Sequence, residues 1–338
     1  MDIGDWVNRE LVIGGKTVKN RLALAPMAVL GNVALRGIVA DYGGCGLQFM
    51  EMCNARAVPH ENRHVSLTFK WRDEELPYLV CQLFGSDPEA MARAAARVEK
   101  EGFFGVDINF GCSVAAICKK NCGAALMKDP DLAGRIVSAV RNAVKIPVFA
   151  KFRTGWSPDP ALAVDLARRF ESLGADALVF HPRVSPDRRG RAPLWDHIRL
   201  VKQAVSIPVF GNGNVFDAGD AVKMFETTGC DGIAIGRMAV VRPWIFSMMA
   251  DGFKPGPEIC ERYAHDLLDR LLVHFEPHIA VKTFKKTALY LSANFKFGQS
   301  IWPVLLKGES PEDVRDNIRR VFASNPEISV SPNRNMMI

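Results

Sequence analysis

The sequence predicts an α/β chain: a (β/α)8 TIM barrel followed by a small all-helical domain. Three observations carry that expectation. Eight short apolar runs recur near 22–26, 47–51, 78–83, 104–109, 147–152, 176–181, 207–211 and 231–235, and eight units over about 250 residues is the rhythm of such a barrel. The runs lack strict polar alternation, as suits strands buried on both faces of a parallel sheet. Helical patterns lie between them, and after about residue 254 the strands stop while the helices continue. A doubly wound sheet is the competitor, but it needs a reversal of strand order that a sequence does not reveal, and the count of eight favours the barrel.

Each element has a local reason. Residues 9–27, RELVIGGKTVKNRLALAPM, place two β-rich runs on either side of Gly14-Gly15, so a hairpin is expected at about 10–20. EAMARAAARVEKEG at 89–102 carries an apolar stripe of small residues and ends in Gly. DLAGRIVSAVRNAV at 131–144 follows Asp129-Pro130, a cap-plus-proline start. The segments 161–175 and 217–229 behave alike, each ending near Gly. These signals assign 1–254 to the barrel and 255–325 to the helical domain, where Ser310-Pro311-Glu312-Asp313 opens a helix with acids at its positive end. The tail, 326–338, is expected to be poorly ordered.

Composition bounds the class. The 338 residues are 48% hydrophobic and 24% charged, which excludes wholesale disorder, a coiled coil or a collagen-like chain. No apolar run approaches the roughly 18 residues of a membrane span, and MDIGDWVNRE is not a secretory signal. Eight cysteines are too few for a disulfide scaffold; most are expected as reduced, buried thiols in a cytoplasmic protein. The net charge of +6 permits an anionic partner without requiring one.

In a barrel of this kind the chemistry sits at the C-terminal ends of the strands. Here those ends carry Pro26-Met27, Glu51, Gln82, Asn109 to Cys112, Lys151 with Arg153, His181, Gly211 to Asn214, and Gly236-Arg237. A purely structural barrel has no need of a Lys, a Gln and a His there, so this face is expected to be an active site. GNGN at 211–214 and IGR at 235–237 follow consecutive strands. Small residues there let backbone N–H groups approach a phosphate, and Arg237 adds a charge, although GNG alone is also a common turn. Lys151 is either half of a structural ion pair or a cation beside a ring that gains negative charge on reduction, such as a flavin. Gln82 offers a donor and an acceptor together, matching a flavin pyrimidine edge, or it is a satisfied core amide. His181 is either a cofactor contact or strand-end packing. Cys112 lies just past the fourth run, where a thiol serves as nucleophile, acid or metal ligand. The spacing of Cys112, Cys118 and Cys122 lacks the CxxC pairs and fourth ligand of zinc or iron–sulfur sites, so no metal is expected.

Two basic clusters stand out. Residues 277–308 contain Lys282, Lys285, Lys286, Lys296 and Lys307 and no acid, interleaved with Phe284, Tyr290, Phe295, Phe297 and Trp302. Lys282, Lys285 and Lys286 share one helical face. The pattern suits RNA contact, and equally a solvated face over an aromatic core. Arg183, Arg188, Arg189 and Arg191, opposed only by Asp187, form a second cluster after strand six, or a plain surface loop.

Taken together, KNRLALAPMA (19–28), EMCNAR (51–56), QLFGS (82–86), DINFGC (107–112), GAALMKDP (123–130), FAKFRTGW (149–156), HPR (181–183), FGNGNV (210–215), CDGIAIGR (230–237) and PWIF (243–246) resemble the dihydrouridine synthase family of flavin-dependent tRNA-modifying enzymes over about residues 10–325. The resemblance implies FMN as cofactor and NADPH, or NADH, as reductant. It implies tRNA or another structured RNA as partner, in the cytoplasm. Flavin contacts would be Pro26, Met27, Ala28, Gln82, Lys151 and His181, with Asn212, Gly213, Asn214, Gly236 and Arg237 on the phosphate. Cys112 falls on the family's catalytic cysteine, which donates a proton to C5 while hydride reaches C6 of a flipped-out uridine. Asn109 falls on the substrate-facing asparagine, and Arg153, Arg183, Lys282, Lys285 and Lys286 would face substrate or RNA. Ser113 replaces a usual Pro, Ala116 a Lys, Asn32 an Asp and Met238 a Gly. Those departures leave two other outcomes open: a barrel oxidoreductase acting on a small molecule, as dihydroorotate dehydrogenases do, or a homologue that binds flavin or RNA without catalysis.

Overall fold

A computed structural model of the chain describes residues 3–185 and 191–337. Eleven strands occur among them: β1 (Leu11–Ile13), β2 (Lys16–Val18), β3 (Leu22–Leu24), β4 (Leu47–Phe49), β5 (Cys53–Asn54), β6 (Leu79–Phe84), β7 (Gly105–Phe110), β8 (Val148–Gly155), β9 (Ala177–Val184), β10 (Val209–Asn212) and β11 (Gly232–Ile235). β1 and β2 form the expected hairpin, with Val12 opposite Thr17. Gly14 and Gly15 both take positive φ, 54° and 77°, as its two-residue turn requires.

β3, β4 and β6 to β11 pair in parallel, and β3 pairs with β11 to close the ring. This is the eight-stranded barrel read from the apolar runs. β5 is a two-residue addition beside the end of β6, with Asn54 opposite Phe84. Ala23, Leu47, Val80, Phe149, Ala177, Phe210 and Ala234 fill the ring, together with Ile13 and Val18 from the hairpin. Large and small residues alternate there. A Cβ on Gly232 would lie 2.4 Å from the Phe210 ring, so only glycine admits that phenylalanine. The hairpin closes the N-terminal end of the ring, where Lys16 Nζ donates to the Phe104 carbonyl at 3.0 Å.

Helices Pro88–Lys100, Pro130–Ala143, Ala161–Ser172, Asp196–Ala204 and Ala218–Thr228 cover the outside of the barrel. Asp87, Asp129 and Asp217 cap three of them, and proline follows the first two caps. The crossover from β4 to β6 holds β5 and two short 3-10 turns, Val58–His60 and Asp73–Tyr78, in place of an α-helix.

Packing divides the chain into two compact units: Met1–Pro26 with Cys45–Gly236, and Met27–Gly44 with Arg237–Ile338. The second unit is helical. Its longer members are Val33–Tyr42, Ile259–His274, Pro277–Ser292 and Pro311–Ala323, the last opened by Ser310 in a capping box with Asp313. Arg270 pairs with Asp41, and Tyr263 Oη donates to the Val240 carbonyl at 2.7 Å.

The tail corrects the expectation of disorder. Ser329 N donates to the Asn294 carbonyl at 2.7 Å, and Asn333 N to the Ala293 carbonyl at 2.8 Å. The Arg242 guanidinium spans the Ser329 and Val330 carbonyls, and Met336 and Met337 are buried. A guanidinium fork satisfies two carbonyls of this segment and two apolar side chains anchor its end, which composition alone made look too polar to pack. Among the described residues, no helix is long and apolar enough to cross a membrane.

Candidate active site

The site grows from side-chain parity on β7. Successive residues of a strand point to opposite faces, so Asp107 and Asn109 point the same way. Parallel pairing sets Gln82 of β6 beside Asp107 and Lys151 of β8 beside Asn109. Gln82 Nε2 donates to Asp107 Oδ2 at 2.6 Å. Asn109 Nδ2 donates to Gln82 Oε1 at 2.8 Å. Asn109 Oδ1 then accepts from the backbone N–H groups of Gly111, at 3.1 Å, and Cys112, at 2.9 Å. On the other side Lys151 Nζ donates to Asn212 Oδ1 at 3.1 Å, and Asn212 Nδ2 donates to the Ala234 carbonyl at 2.7 Å.

Asp107 and Lys151 are an opposite pair, the carboxyl buried and the ammonium half-buried. Burial drives the Asp107 carboxyl well above the ordinary carboxylate range, against the pull of Gln82 and of the Lys151 charge. Burial also drives the Lys151 ammonium below the ordinary lysine range, with Asp107 opposing and Arg153 assisting. Asp107 is fully buried. Sequence reading stopped at Asn109 and missed it, although the shared parity of 107 and 109 was available.

Cys112 opens the loop after β7. Arg153 Nε donates to the Gly111 carbonyl at 2.7 Å, and Ala124 N donates to the Cys112 carbonyl at 2.9 Å. Gly123 takes φ +63°, and a Cβ there would lie 2.5 Å from the Cys112 carbonyl oxygen, so the loop closes only over glycine. Burial pushes the Cys112 thiol above its ordinary value, and the backbone of Val114 and the charge of Arg153 oppose this. The group is therefore a thiol at neutral pH, suited to holding a proton rather than to attack as a thiolate. Ser113 and Ala116 lie on the outer part of the loop, half-buried and exposed.

The ends of β9 and β10 meet beside this cluster. Gly213 takes φ +119° against the His181 ring, and its carbonyl accepts from Trp195 Nε1 at 3.0 Å. Asn214 has φ +55° and its Oδ1 accepts from Arg183 at 3.0 Å. Arg183 itself is buried. Pro26 and Gly236 follow β3 and β11 within the same unit.

Met27, Ala28 and Arg237 belong to the second unit. Gly31 N donates to the Met27 carbonyl at 2.8 Å. Asn32 caps the helix Val33–Tyr42 by accepting from Ala34 N and Leu35 N, while its Nδ2 donates to the Val29 carbonyl at 3.0 Å. An Asp caps equally well but has no such donor, which gives the departure at Asn32 a local reason. Arg237 donates to the Met337 carbonyl. Lys282 and Lys286 are exposed on the helix Pro277–Ser292, whereas Lys285 donates to the Gly308 carbonyl. Phe284 and Phe295 are core residues, and Phe297 is exposed. Arg191 is exposed; Asp187, Arg188 and Arg189 lie outside the described residues. All eight cysteines are free, and among the described residues no cluster of His, Cys, Asp or Glu is arranged to hold a metal.

A family model described as dihydrouridine synthase matches residues 23–304, well over half of the chain. The chain belongs to the dihydrouridine synthase family. The tRNA-dihydrouridine synthase B of Proteus vulgaris is 40% identical over 234 residues, covering 69% of this chain and 72% of its own length. The protein of that name from Pseudomonas syringae pv. tomato is 38% identical over 318 residues, 92% of this chain and 94% of its own length. Dihydrouridine synthase membership agrees with a fold shared more distantly: the solved histamine dehydrogenase from Rhizobium sp. 4-9 superposes with a TM-score of 0.56 at 14% identity, over 81% of this chain and 52% of that one. That likeness speaks for the barrel alone.

Proposed function

We propose that this dihydrouridine synthase reduces the C5=C6 bond of a uridine in tRNA, with FMN as cofactor, NADPH or NADH as reductant and Cys112 as proton donor. The observation that carries the reading is the Cys112 thiol, kept protonated by burial and fixed at its backbone by Asn109, on the barrel face that also presents Gln82 and Lys151.

The residues present fit a flavin phosphate. Lys151 is a half-buried cation whose side-chain hydrogen bond goes to the Asn212 amide, Gln82 keeps a donor and an acceptor beyond the two it uses, and after Asn212 the turn takes positive φ at Gly213 and Asn214, with Gly213 against His181. When bound, FMN supplies the hydride that reaches C6. Lys151 favours negative charge on the ring side, and Gln82 orients the pyrimidine edge. His181, Asn212, Gly213, Asn214, Gly236 and Arg237 are assigned to the ring and phosphate, and Pro26, Met27 and Ala28 to the ring. Cys112 then gives its proton to C5, so hydride and proton together saturate the bond. Asn109 faces the uridine while holding the loop, and Arg153 anchors that loop at Gly111. Arg183 acts in this reading by bracing Asn214.

The helical domain, 255–325, is assigned to RNA, with Lys282 and Lys286 as its free charges and Lys285 spent on the Gly308 carbonyl. An RNA substrate and eight unpaired cysteines support a cytoplasmic location. The test is to map dihydrouridine in cellular RNA with and without the gene, and with a Cys112→Ala copy. Loss of a defined dihydrouridine in both, with flavin retained in the purified variant, is expected; undiminished modification in the Cys112→Ala strain overturns the assignment of the proton donor.

A further inference from the structure

The polar chain from Asp107 to the Cys112 backbone has a direction. Gln82 and Asn109 each carry a carboxamide whose nitrogen and oxygen are interchangeable in shape, so something must fix which way each one points. At one end the N–H groups of Gly111 and Cys112 only donate, which forces Asn109 to turn its oxygen to them and its nitrogen to Gln82. At the other end Asp107 Oδ2 accepts, which forces Gln82 to turn its nitrogen to Asp107 and its oxygen to Asn109. The two ends demand the same orientation. Gln82 already donates to Asp107 Oδ2 and no side chain reaches Oδ1, so a proton taken up by the carboxyl goes to Oδ1, against the nearby backbone N–H groups of Ile108 and Lys151, and leaves Oδ2 an acceptor. The direction of the chain therefore survives protonation.

We propose that Asp107 is a positioning residue for the reaction: by locking the orientation of Gln82 and through it Asn109, it holds the backbone of Cys112 in place and fixes which donor Gln82 presents to the pyrimidine edge of the cofactor. This rests on the reading of Cys112 as proton donor. It assigns no contact between Asp107 and the uridine. A buried acid that only filled space would be replaceable by an amide of the same shape. A polarity lock is not, because an amide at 107 accepts or donates with equal ease and removes the constraint from that end.

The experiment uses the purified full-length flavoprotein and its Asp107→Asn variant. Hydrogen exchange is followed at the amides of Gly111 and Cys112, and alkylation by iodoacetamide is followed residue by residue by mass spectrometry. Exchange at those two amides and alkylation at Cys112 are expected to rise about tenfold, a loss of about 1.4 kcal/mol in local order. Alkylation at half-buried Cys45 and the melting temperature should change far less. Flavin should remain bound with a shifted absorption spectrum, and kcat should fall with little change in KM. Should Asp107→Asn not fold, Gln82→Met breaks the chain one link later and carries the same expectation for exchange at 111 and 112 and alkylation at Cys112, its flavin and kinetic readouts being set aside because Gln82 is itself assigned to the cofactor. Wild-type exchange and alkylation at 111 and 112 in a folded variant overturn the proposal, as does an equal rise at every cysteine. Both measurements read the chain even in a protein that makes no dihydrouridine, so failure of the enzymatic reading is seen separately, as a wild-type protein without product.

Discussion

Gly213 is where fold and function are bound most tightly, and replacing it by alanine tests both. Its φ of +119° lies outside the range that L side chains adopt, and a Cβ there would stand 2.8 Å from His181 Cδ2 and 3.0 Å from Nε2. The backbone strain costs about 1–3 kcal/mol, and forcing the methyl against the ring costs about 1–3 kcal/mol more. Gly213→Ala should then lose roughly 2–6 kcal/mol, a large part of the stability of an ordinary domain. The control is Gly229→Ala. That glycine ends the helix Ala218–Thr228 at φ +65°, and a Cβ on it meets nothing within 4 Å, so only the left-handed strain of about 1–2 kcal/mol applies. Urea unfolding at equilibrium measures both. If the protein instead moves the His181 ring to make room, stability is partly recovered and flavin content at purification drops. A Gly213→Ala protein as stable as Gly229→Ala, with its flavin intact, refutes the packing argument and the assignment of this turn to the cofactor.

Other consequences are open to simpler measurements. Because burial holds the Cys112 thiol above its ordinary value, the acid form is complete at neutral pH and is lost only as pH rises through that elevated value; single-turnover reduction of uridine should be flat near neutral pH and fall only on the alkaline side, above the ordinary thiol range. A fall beginning below pH 8 contradicts a protonated thiol as the donor. Lys282→Glu combined with Lys286→Glu should weaken tRNA binding at least tenfold at low salt and reduce its salt dependence, while Lys285→Glu should chiefly lower the melting temperature through the lost Gly308 contact; filter binding across a salt series separates these. Asn32→Asp installs the residue usual in the family, yet it should destabilise by about 1–3 kcal/mol, because a buried carboxylate would then face the Val29 carbonyl. A neutral or stabilising result by thermal unfolding shows that this loop rearranges.

Much of this was legible in the residues, for reasons that can be named. Strands buried on both faces must be short and apolar, so the eight runs located β3, β4 and β6 to β11 to within a few residues. Strand ends that carry Gln82, Lys151 and Cys112 look out of place beside such runs, and polarity alone brought them forward. Asp107 stayed hidden because it sits inside a run, between Val106 and Ile108, where an acid reads as an interruption of the strand rather than as part of a site. Its meaning depends on Gln82, a neighbour set by register and 25 residues away. The helix Val33–Tyr42 was equally silent, since nothing in VALRGIVADY announces the company it keeps. Lys285 shows the reverse error: helical spacing put it on the face of Lys282, but spacing says nothing of a carbonyl at Gly308.

That company has a consequence for how the chain is made. The second unit is assembled from two pieces far apart in sequence, and the ion pair between Asp41 and Arg270 spans 229 residues. Residues 27–44 leave the ribosome early and must wait, with the fully buried Arg36 and the apolar face of their helix uncovered, until the whole intervening barrel has been synthesised. Contacts of such separation slow folding and expose the waiting segment to misassembly. A fragment beginning near residue 255 lacks this helix from the outset, and so offers a poor substitute for the intact protein in any study of its RNA binding.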